Sequence, residues 1–460
     1  MAESNPDPDC PSLREAFFVW LKIGLLSFGG PAGQIALMHR VLVEEKRWIS
    51  EARFLHALNY VMFLPGPEAQ QLAIYAGWLL HRRTGGLIAG ILFVLPGAIV
   101  MLILSVLYAG FRDLSLVEAF FFGIKAAVLA IVVQAVIRLG RRAISNSAML
   151  AIAAFSFAGI FFFTIPFPLI IMVAALTGLV GSCLAPTLFE PADRNSPAAQ
   201  TTIKKYLVDR LLESGNLTHI KPSLPRALRV SLACLVLWLS PIFFIGGVLG
   251  PDHVFTQEGV FFSKMAVVTF GGAYAVLAYV AQQAVDLYGW LAPGEMLNGL
   301  GLAETTPGPL IMVVQYVGFL GAFRNPGSLD PFVAGVLGSL LTTWVTFVPC
   351  FLWIFAGAPY IEVLRNKSLL NGALGAITAA VVGVVLYVAV WFGLNVCFED
   401  IREVWVGQVR LLIPELSTAE PAVLVITTMS LFVTLKYKVG ILPMLASAAV
   451  IGMACFYGIR

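Results

Sequence analysis

Charge is what this sequence has least of. Asp, Glu, Lys and Arg make up 12% of its 460 residues, while 59% are hydrophobic and mean hydropathy is +0.88. Soluble domains carry roughly 25% charged residues, so a water-facing shell is excluded and an all-α, polytopic membrane protein is expected. The net charge of +3 is small and scattered, which excludes a nucleic-acid partner. Cysteine is scarce too. Cys10, Cys183, Cys234, Cys350, Cys397 and Cys455 are scattered with no Cys-x-x-Cys pair, so neither a disulfide framework nor a zinc site is expected. The five histidines are equally dispersed. Gly-x-x-x-x-Gly-Lys-Ser/Thr, Gly-x-Ser-x-Gly and His-Glu-x-x-His runs are all missing. No ATPase cassette, no cofactor and no metal is therefore expected, and the chain is not read as an enzyme. The first residues, with Glu3, Asp7, Asp9 and Glu15, lack the basic start of a signal peptide.

What is abundant is long apolar sequence. Segments near the ~20 residues that span a bilayer run over Phe17–Met38, Phe54–Leu80, Leu87–Phe111, Val117–Ile137, Ala148–Phe163 and Ile165–Leu184. Seven more follow at Leu228–Leu249, Gly259–Gln283, Met296–Phe323, Phe332–Gly357, Leu369–Leu394, Val423–Leu435 and Val439–Phe456. That makes about thirteen, with Ala148–Leu184 and Val423–Phe456 each readable as a tight hairpin. Ala185–Pro225 is the one long polar stretch. Ile203, Tyr206, Leu207 and Leu211 share a helical face there, which predicts a short amphipathic surface helix.

The two halves repeat at a constant offset of 242, from Lys22–Lys264 to Gly85–Gly327. Ser27-Phe28-Gly29-Gly30 matches Thr269-Phe270-Gly271-Gly272, Trp48 matches Trp290, Pro65-Gly66-Pro67 matches Pro307-Gly308-Pro309, and Arg82 matches Arg324. Seven segments separate the two starts, an odd number, so the repeats are expected to be inverted. The expected organisation is a first repeat over 1–184, a cytoplasmic linker over 185–225, and an extra helix plus second repeat over 226–460. Loop Lys and Arg place the N-terminus inside. The loop His39–Arg53 objects, since Arg40, Lys46, Arg47 and Arg53 then fall outside. A re-entrant Phe17–Met38 or Phe54–Leu80 would change the count.

Proline and glycine inside apolar segments break helices. In lipid such breaks survive only where buried or lining a cavity, and matched breaks in two halves point to a transporter's binding site. Glycines also let backbone approach a ligand, and Pro31 suits the first turn of a helix whose N-terminus would favour an anion. The candidate anion ligands are Lys22, Ser27, Gly29, Gly30, Gln34, Asn59, Gln70 and Gln71, with Lys264, Thr269, Gly271, Gly272 and Thr306. Pro65, Gly66, Pro67, Pro307, Gly308 and Pro309 would shape the breaks. The bland readings are glycine packing between helices, lysines snorkelling to the surface, and glutamines capping broken backbone, as Gln315 could also do. Glu68, deep in its segment, is the candidate proton-carrying acid, with a structural salt bridge as its rival role. Glu304 and Lys125 are further charges inside spans.

The runs Phe28-Gly29-Gly30-Pro31-Ala32-Gly33-Gln34-Ile35-Ala36-Leu37-Met38, Ala57-Leu58-Asn59-Tyr60, Leu64-Pro65-Gly66-Pro67-Glu68-Ala69-Gln70-Gln71-Leu72-Ala73 and Gly77-Trp78-Leu79 carry a resemblance. So do Thr269-Phe270-Gly271-Gly272 and Thr306-Pro307-Gly308-Pro309-Leu310. The chain resembles the chromate ion transporter family in its long, two-domain form. That resemblance implies a bacterial inner-membrane protein that extrudes chromate at the expense of the proton motive force and confers resistance. Its partners would be chromate or a related oxyanion, protons and the lipid bilayer, with a homodimer left open. The rivals are a sulfate or related oxyanion carrier, a passive anion channel and an intramembrane enzyme.

Overall fold

Proline, glycine and short polar caps set the helix boundaries. In this computed structural model the residues described are 11–28, 30–62, 64–189, 206–213, 219, 222–270, 273–292, 294–360, 368–437 and 439–459. The chain opens with α1 (Leu13–Leu26), whose N-cap Ser12 accepts from the Glu15 amide. A break precedes α2 (Gly30–His39), which runs into a π-turn at Arg40–Glu45. After α3 (Glu51–Val61) comes the first Pro-Gly-Pro break, then α4 (Glu68–Phe111). At 44 residues α4 is twice a bilayer's thickness, and it is kinked at His81 and Arg82, where Arg82 has φ 53°. Next come α5 (Ser115–Ala143), α6 (Ser147–Phe163), α7 (Phe167–Leu184), the single turn α8 (Pro186–Phe189) and α9 (Leu207–Glu213).

The second half runs through α10 (Leu224–Leu249), α11 (Val254–Val268), α12 (Ala273–Gln282) with a π-turn at Gln283–Leu287, and α13 (Glu295–Glu304). It continues with α14 (Val313–Arg324), α15 (Pro331–Gly357), α16 (Ser368–Cys397), α17 (Pro421–Tyr437) and α18 (Ile441–Ile459). Between α16 and α17 lies a small antiparallel hairpin, β1 (Ile401–Val406) and β2 (Val409–Pro414), turning at Gly407 with φ 65°. The order of α1 to α4 thus recurs in α11 to α15, including the π-turn after the second helix.

Among the described residues, seven helices are long and apolar enough to cross a membrane, and three shorter apolar helices accompany them. Outward-facing Phe155, Phe243 and Phe244 are 78%, 75% and 72% exposed, which suits lipid rather than water. The molecule is an all-α, multi-pass membrane protein. The segments Phe17–Met38, Phe54–Leu80, Gly259–Gln283 and Met296–Phe323 are not single spanning helices. Each is two half-helices, separated by a break that begins at Ser27-Phe28 or Thr269-Phe270 in the first pair of each half and by Pro-Gly-Pro in the second. Leu87–Phe111, expected as a separate span, continues from Phe54–Leu80 through the Arg82 kink.

Several contacts gather on one end of the first half. Lys46 reaches Glu15 at 2.7 Å, joining the end of the α2 π-turn to the start of α1, and His81 meets the Pro11 carbonyl at 2.6 Å. Helix α9 buries Leu207, Val208 and Leu211 there. Its amides at Leu207 and Val208 donate to the carbonyls of Arg47 and Trp48, and Asp209 pairs with Arg53 at 2.9 Å. The amphipathic face read at Tyr206, Leu207 and Leu211 therefore meets the loop His39–Arg53; Ile203 lies outside the described residues. His219 packs edge-on to Trp78 and bonds its carbonyl, and this burial holds the imidazole below its usual pKa.

Candidate functional site

The breaks of the two halves exchange backbone hydrogen bonds. The Gly308 amide donates to the Ser27 carbonyl at 2.8 Å, and the Gly66 amide donates to the Thr269 carbonyl at 2.8 Å. Both glycines have positive φ, 93° and 117°, which a side chain resists. Around this double junction lies a hollow lined by Pro31 and Gln34 of α2, by Pro67, Glu68 and Ala69 at the start of α4, by Thr269, and by Pro309, Leu310 and Ile311. The last three lead into α14. The N-termini of α2, α4 and the α14 segment thus converge on one small space, and unpaired amides with positive dipole ends favour an anion there. The hollow encloses about 20 Å³, room for about one water.

Buried polar groups surround it. Ser27, Thr269, Gln34, Gln70, Gln71 and Thr306 are all at most 3% exposed. The Ser27, Thr269 and Thr306 hydroxyls donate to the carbonyls of Ile23, Met265 and Leu302 at 2.6, 2.7 and 2.6 Å. Their protons are spent within their own helices, leaving only acceptor capacity. The glutamines cap broken backbone: Gln34 donates to the Gly308 carbonyl across the junction, and Gln71 donates to the Pro65 carbonyl at 2.7 Å. Neither side-chain atom of Gln70 has a partner among the described residues. Gln315 donates to the Ala98 carbonyl and to Ser339.

The structure brings Ser27, Gly30, Gln34, Pro65, Gly66, Pro67, Glu68, Thr269, Pro307, Gly308 and Pro309 together. Lys22 is not among them: its side chain is 56% exposed and its amine sits 3.7 Å from Glu45. Lys264 is exposed as well. Asn59 belongs to α3, but its side chain, like Gly29, Gly271 and Gly272, lies outside the described residues. The cation whose field reaches Glu68 is Arg142, at the end of α5, with its guanidinium 3.2 Å from the Met62 sulfur beside the first break. No local pattern in the sequence distinguishes Arg142 from Arg141. Glu295 was missed too. It is bound by Arg324 at 2.7 Å, by Arg112 at 3.4 Å and by the Ala292 amide at 2.7 Å.

A family model described as chromate transporter matches residues 14–179 and 257–453. Similar proteins include the chromate transport protein of Cupriavidus metallidurans, 27% identical over 376 residues covering 81% of each chain. The chromate transport protein of Pseudomonas aeruginosa is 29% identical over 389 residues, covering 83% of this chain and 81% of that one. The probable chromate transport protein of Synechococcus elongatus is 26% identical over 379 residues, covering 82% and 84%. No solved structure matches. The two matched stretches span both halves and take in both breaks and the hollow between them, so the chain belongs to the chromate transporter family.

Proposed function

We propose that the chain is a secondary transporter that carries chromate, or a related tetrahedral oxyanion, out of a bacterial cell across its inner membrane and so confers resistance. The observation that carries this reading is the exchanged pair of backbone bonds at the hollow. An oxyanion leaving water must be given donors in a dry site, and converging helix N-termini are suited to that. A hollow of about 20 Å³ is too small for a chromate ion, so loading requires the breaks to part. Each exchanged bond ties one half to the other, so relative rocking of the halves would part them.

The halves read as inverted repeats over 1–184 and, after a linker at 185–225 and the extra helix α10, within 226–460. Each pair of half-helices enters and leaves by one face. For the first repeat this is supported by the Glu15–Lys46, Pro11–His81 and α9 contacts, and for the second by Arg324 bonded to both Trp290 and Glu295. With re-entrant half-helices, the basic loop His39–Arg53 falls on the same side as the linker, Arg82, Arg83, Arg141 and Arg142. The loop charges then obey the positive-inside rule without exception at that loop.

Glu68 is the proton-linked acid. A dianion beside it favours its protonated form, so anion and proton bind together. The complex of one dianion and one proton keeps a net negative charge. An inside-negative potential drives it outward, which makes the electrical part of the proton motive force the driving component. The test is flux of labelled sulfate and chromate from proteoliposomes at clamped potential. Acidifying the loaded lumen accelerates efflux in the wild type and leaves Glu68→Gln unaffected. Equal pH responses in the two proteins would remove Glu68 from the coupling, and no efflux of either ion from wild-type vesicles would remove the transport reading.

A further inference from the structure

Glu258, one turn into α11, is 0% exposed, and neither of its carboxyl oxygens has a partner among the described residues. Two glycines make its room. A Cβ at Gly321 of α14 would lie 2.7 Å from Oε1, and one at Gly338 of α15 would lie 2.9 Å from Oε2. The first half has no such group: the residue 242 positions earlier is Ala16, and the counterpart of Gly321 is Leu79. The charges on the surrounding elements are committed elsewhere. Lys264 of α11 is exposed, as is Asp286 after α12, and α15 carries no charged residue. Arg324 of α14 is spent on the Trp290 carbonyl and on Glu295, and Arg226 and Arg229 lie at the far end of α10. His253 caps the start of α11, Tyr288 stacks on Trp290 and Tyr316 packs on Tyr108. A carboxyl walled off in this way is stable as the neutral acid, since an ion there would have neither water nor a countercharge.

From Glu258 a polar face runs along α15. Thr342 lies one turn beyond Gly338, its hydroxyl against Gly318, and Thr346 and Cys350 follow at the same four-residue spacing. Thr342 and Thr346 are 0% and 1% exposed, and neither hydroxyl has a partner among the described residues. Their neighbour Thr343 instead donates to the Ser339 carbonyl at 2.8 Å, as helical threonines commonly do. Cys350 ends the run against Gly66, in the first break and two residues from Glu68. Each four-residue step covers about 6 Å, a gap that one bridging water closes. A hydroxyl both accepts and donates, so such a row can pass a proton on without keeping a charge.

We propose that Glu258 is a second proton site, which takes the proton released at Glu68 along Thr346 and Thr342 and yields it to the face where Arg324 and Glu295 lie. The proton count is unchanged, because Glu258 loses its own proton to that face and regains one from Glu68. The proposal rests on the reading of Glu68 as the coupled acid and of that face as the outer one. Efflux of labelled chromate from proteoliposomes sorted to one orientation tests it, at clamped potential and with pH varied on each side separately. In the wild type, alkaline medium outside is expected to accelerate efflux several-fold by drawing the proton off. Glu258→Gln should run several-fold slower and lose that outer response, yet keep the acceleration by lumenal acid, which belongs to Glu68. An outer response that survives in Glu258→Gln, or wild-type efflux that follows lumenal pH but is indifferent to outer pH, overturns the proposal and leaves Glu68 in its role. Wild-type efflux indifferent to lumenal pH overturns the Glu68 reading, and this proposal with it. Should Glu258→Gln fail to fold, the double variant Thr342→Val and Thr346→Val decides, since it removes the hydroxyls and keeps the shape. A lost outer response there supports the relay, and a kept one overturns it.

Discussion

The Gly308 amide donates to the Ser27 carbonyl, and the residues matching these in the opposite halves, Gly66 and Thr269, make the same bond at the same 2.8 Å. Each Pro-Gly-Pro break is thus completed by the broken first helix of the other half. A backbone amide freed by a kink inside a membrane needs a partner, and duplication supplies it by symmetry.

This makes Gly66 and Gly308 intolerant of side chains. A Cβ at Gly66 would lie 3.1 Å from the Cys350 sulfur, and one at Gly308 would lie 3.3 Å from the Phe93 carbonyl oxygen. The left-handed backbone adds roughly 1–2 kcal/mol. Gly66→Ala and Gly308→Ala are each expected to lower the unfolding midpoint in detergent and to abolish flux in proteoliposomes. Alanine variants with wild-type melting and wild-type flux would contradict the junction.

Gln34 is one of the places where the two halves differ at the hollow: it caps the Gly308 carbonyl, whereas the matching residue is Val276, fully buried. Gln34→Leu leaves a buried carbonyl without its donor, at a cost of about 1–3 kcal/mol. Chemical denaturation should show that loss, together with weaker sulfate binding. Gln34→Glu should weaken binding further at neutral pH, because it sets a second carboxylate beside Glu68.

How much of this was legible in the sequence differs by residue. Pro65-Gly66-Pro67 and its copy announced their breaks because the relevant physics is local: proline and glycine cannot continue a helix. The constant offset of 242 also survived into structure, down to the paired π-turns. What the sequence did not carry is partner choice. Nothing near Ser27 says that its carbonyl meets Gly308, since such bonds depend on how distant segments pack. Lys22 shows the same limit. Its insertion cost was legible, but its side chain escapes to Glu45. The hairpin at β1 and β2 was missed although Val406-Gly407-Gln408-Val409, a two-residue turn between β-branched residues, is its sequence signature.

Glu295 and Arg324 are 10% and 22% exposed at their side chains, so their pairing is shielded from solvent. Removing Glu295 leaves Arg324 without its carboxylate, expected to cost about 3 kcal/mol, whereas removing Arg324 leaves Glu295 still paired with Arg112 at 3.4 Å and should cost less. A double-mutant cycle with Glu295→Gln and Arg324→Gln, read by denaturation, should give a coupling of about 1–3 kcal/mol. Strict additivity would mean that the pair does not hold α13 against α14.

His219 gives a pH dependence to linker docking. Burial against Trp78, with Arg82 and Arg226 nearby, depresses its pKa in the folded chain. A group depressed on folding contributes stability above its unfolded value, about 6.5, and that contribution fades as pH falls through the lower folded value. Proteolysis of the linker should therefore accelerate below about pH 6.5 in the wild type, and His219→Gln should flatten that response. An unchanged acid response in His219→Gln would assign it to other groups.

Where the oxyanion sits is the point on which everything here turns, and chromium is its own marker. Anomalous diffraction at the chromium edge from crystals grown with chromate is predicted to give a peak between Pro31, Gln34, Thr269 and Pro309, with the Ser27–Gly308 and Thr269–Gly66 bonds lengthened or broken around it. Chromium bound elsewhere in the chain, with both bonds intact and that space empty at saturating chromate, would contradict the account.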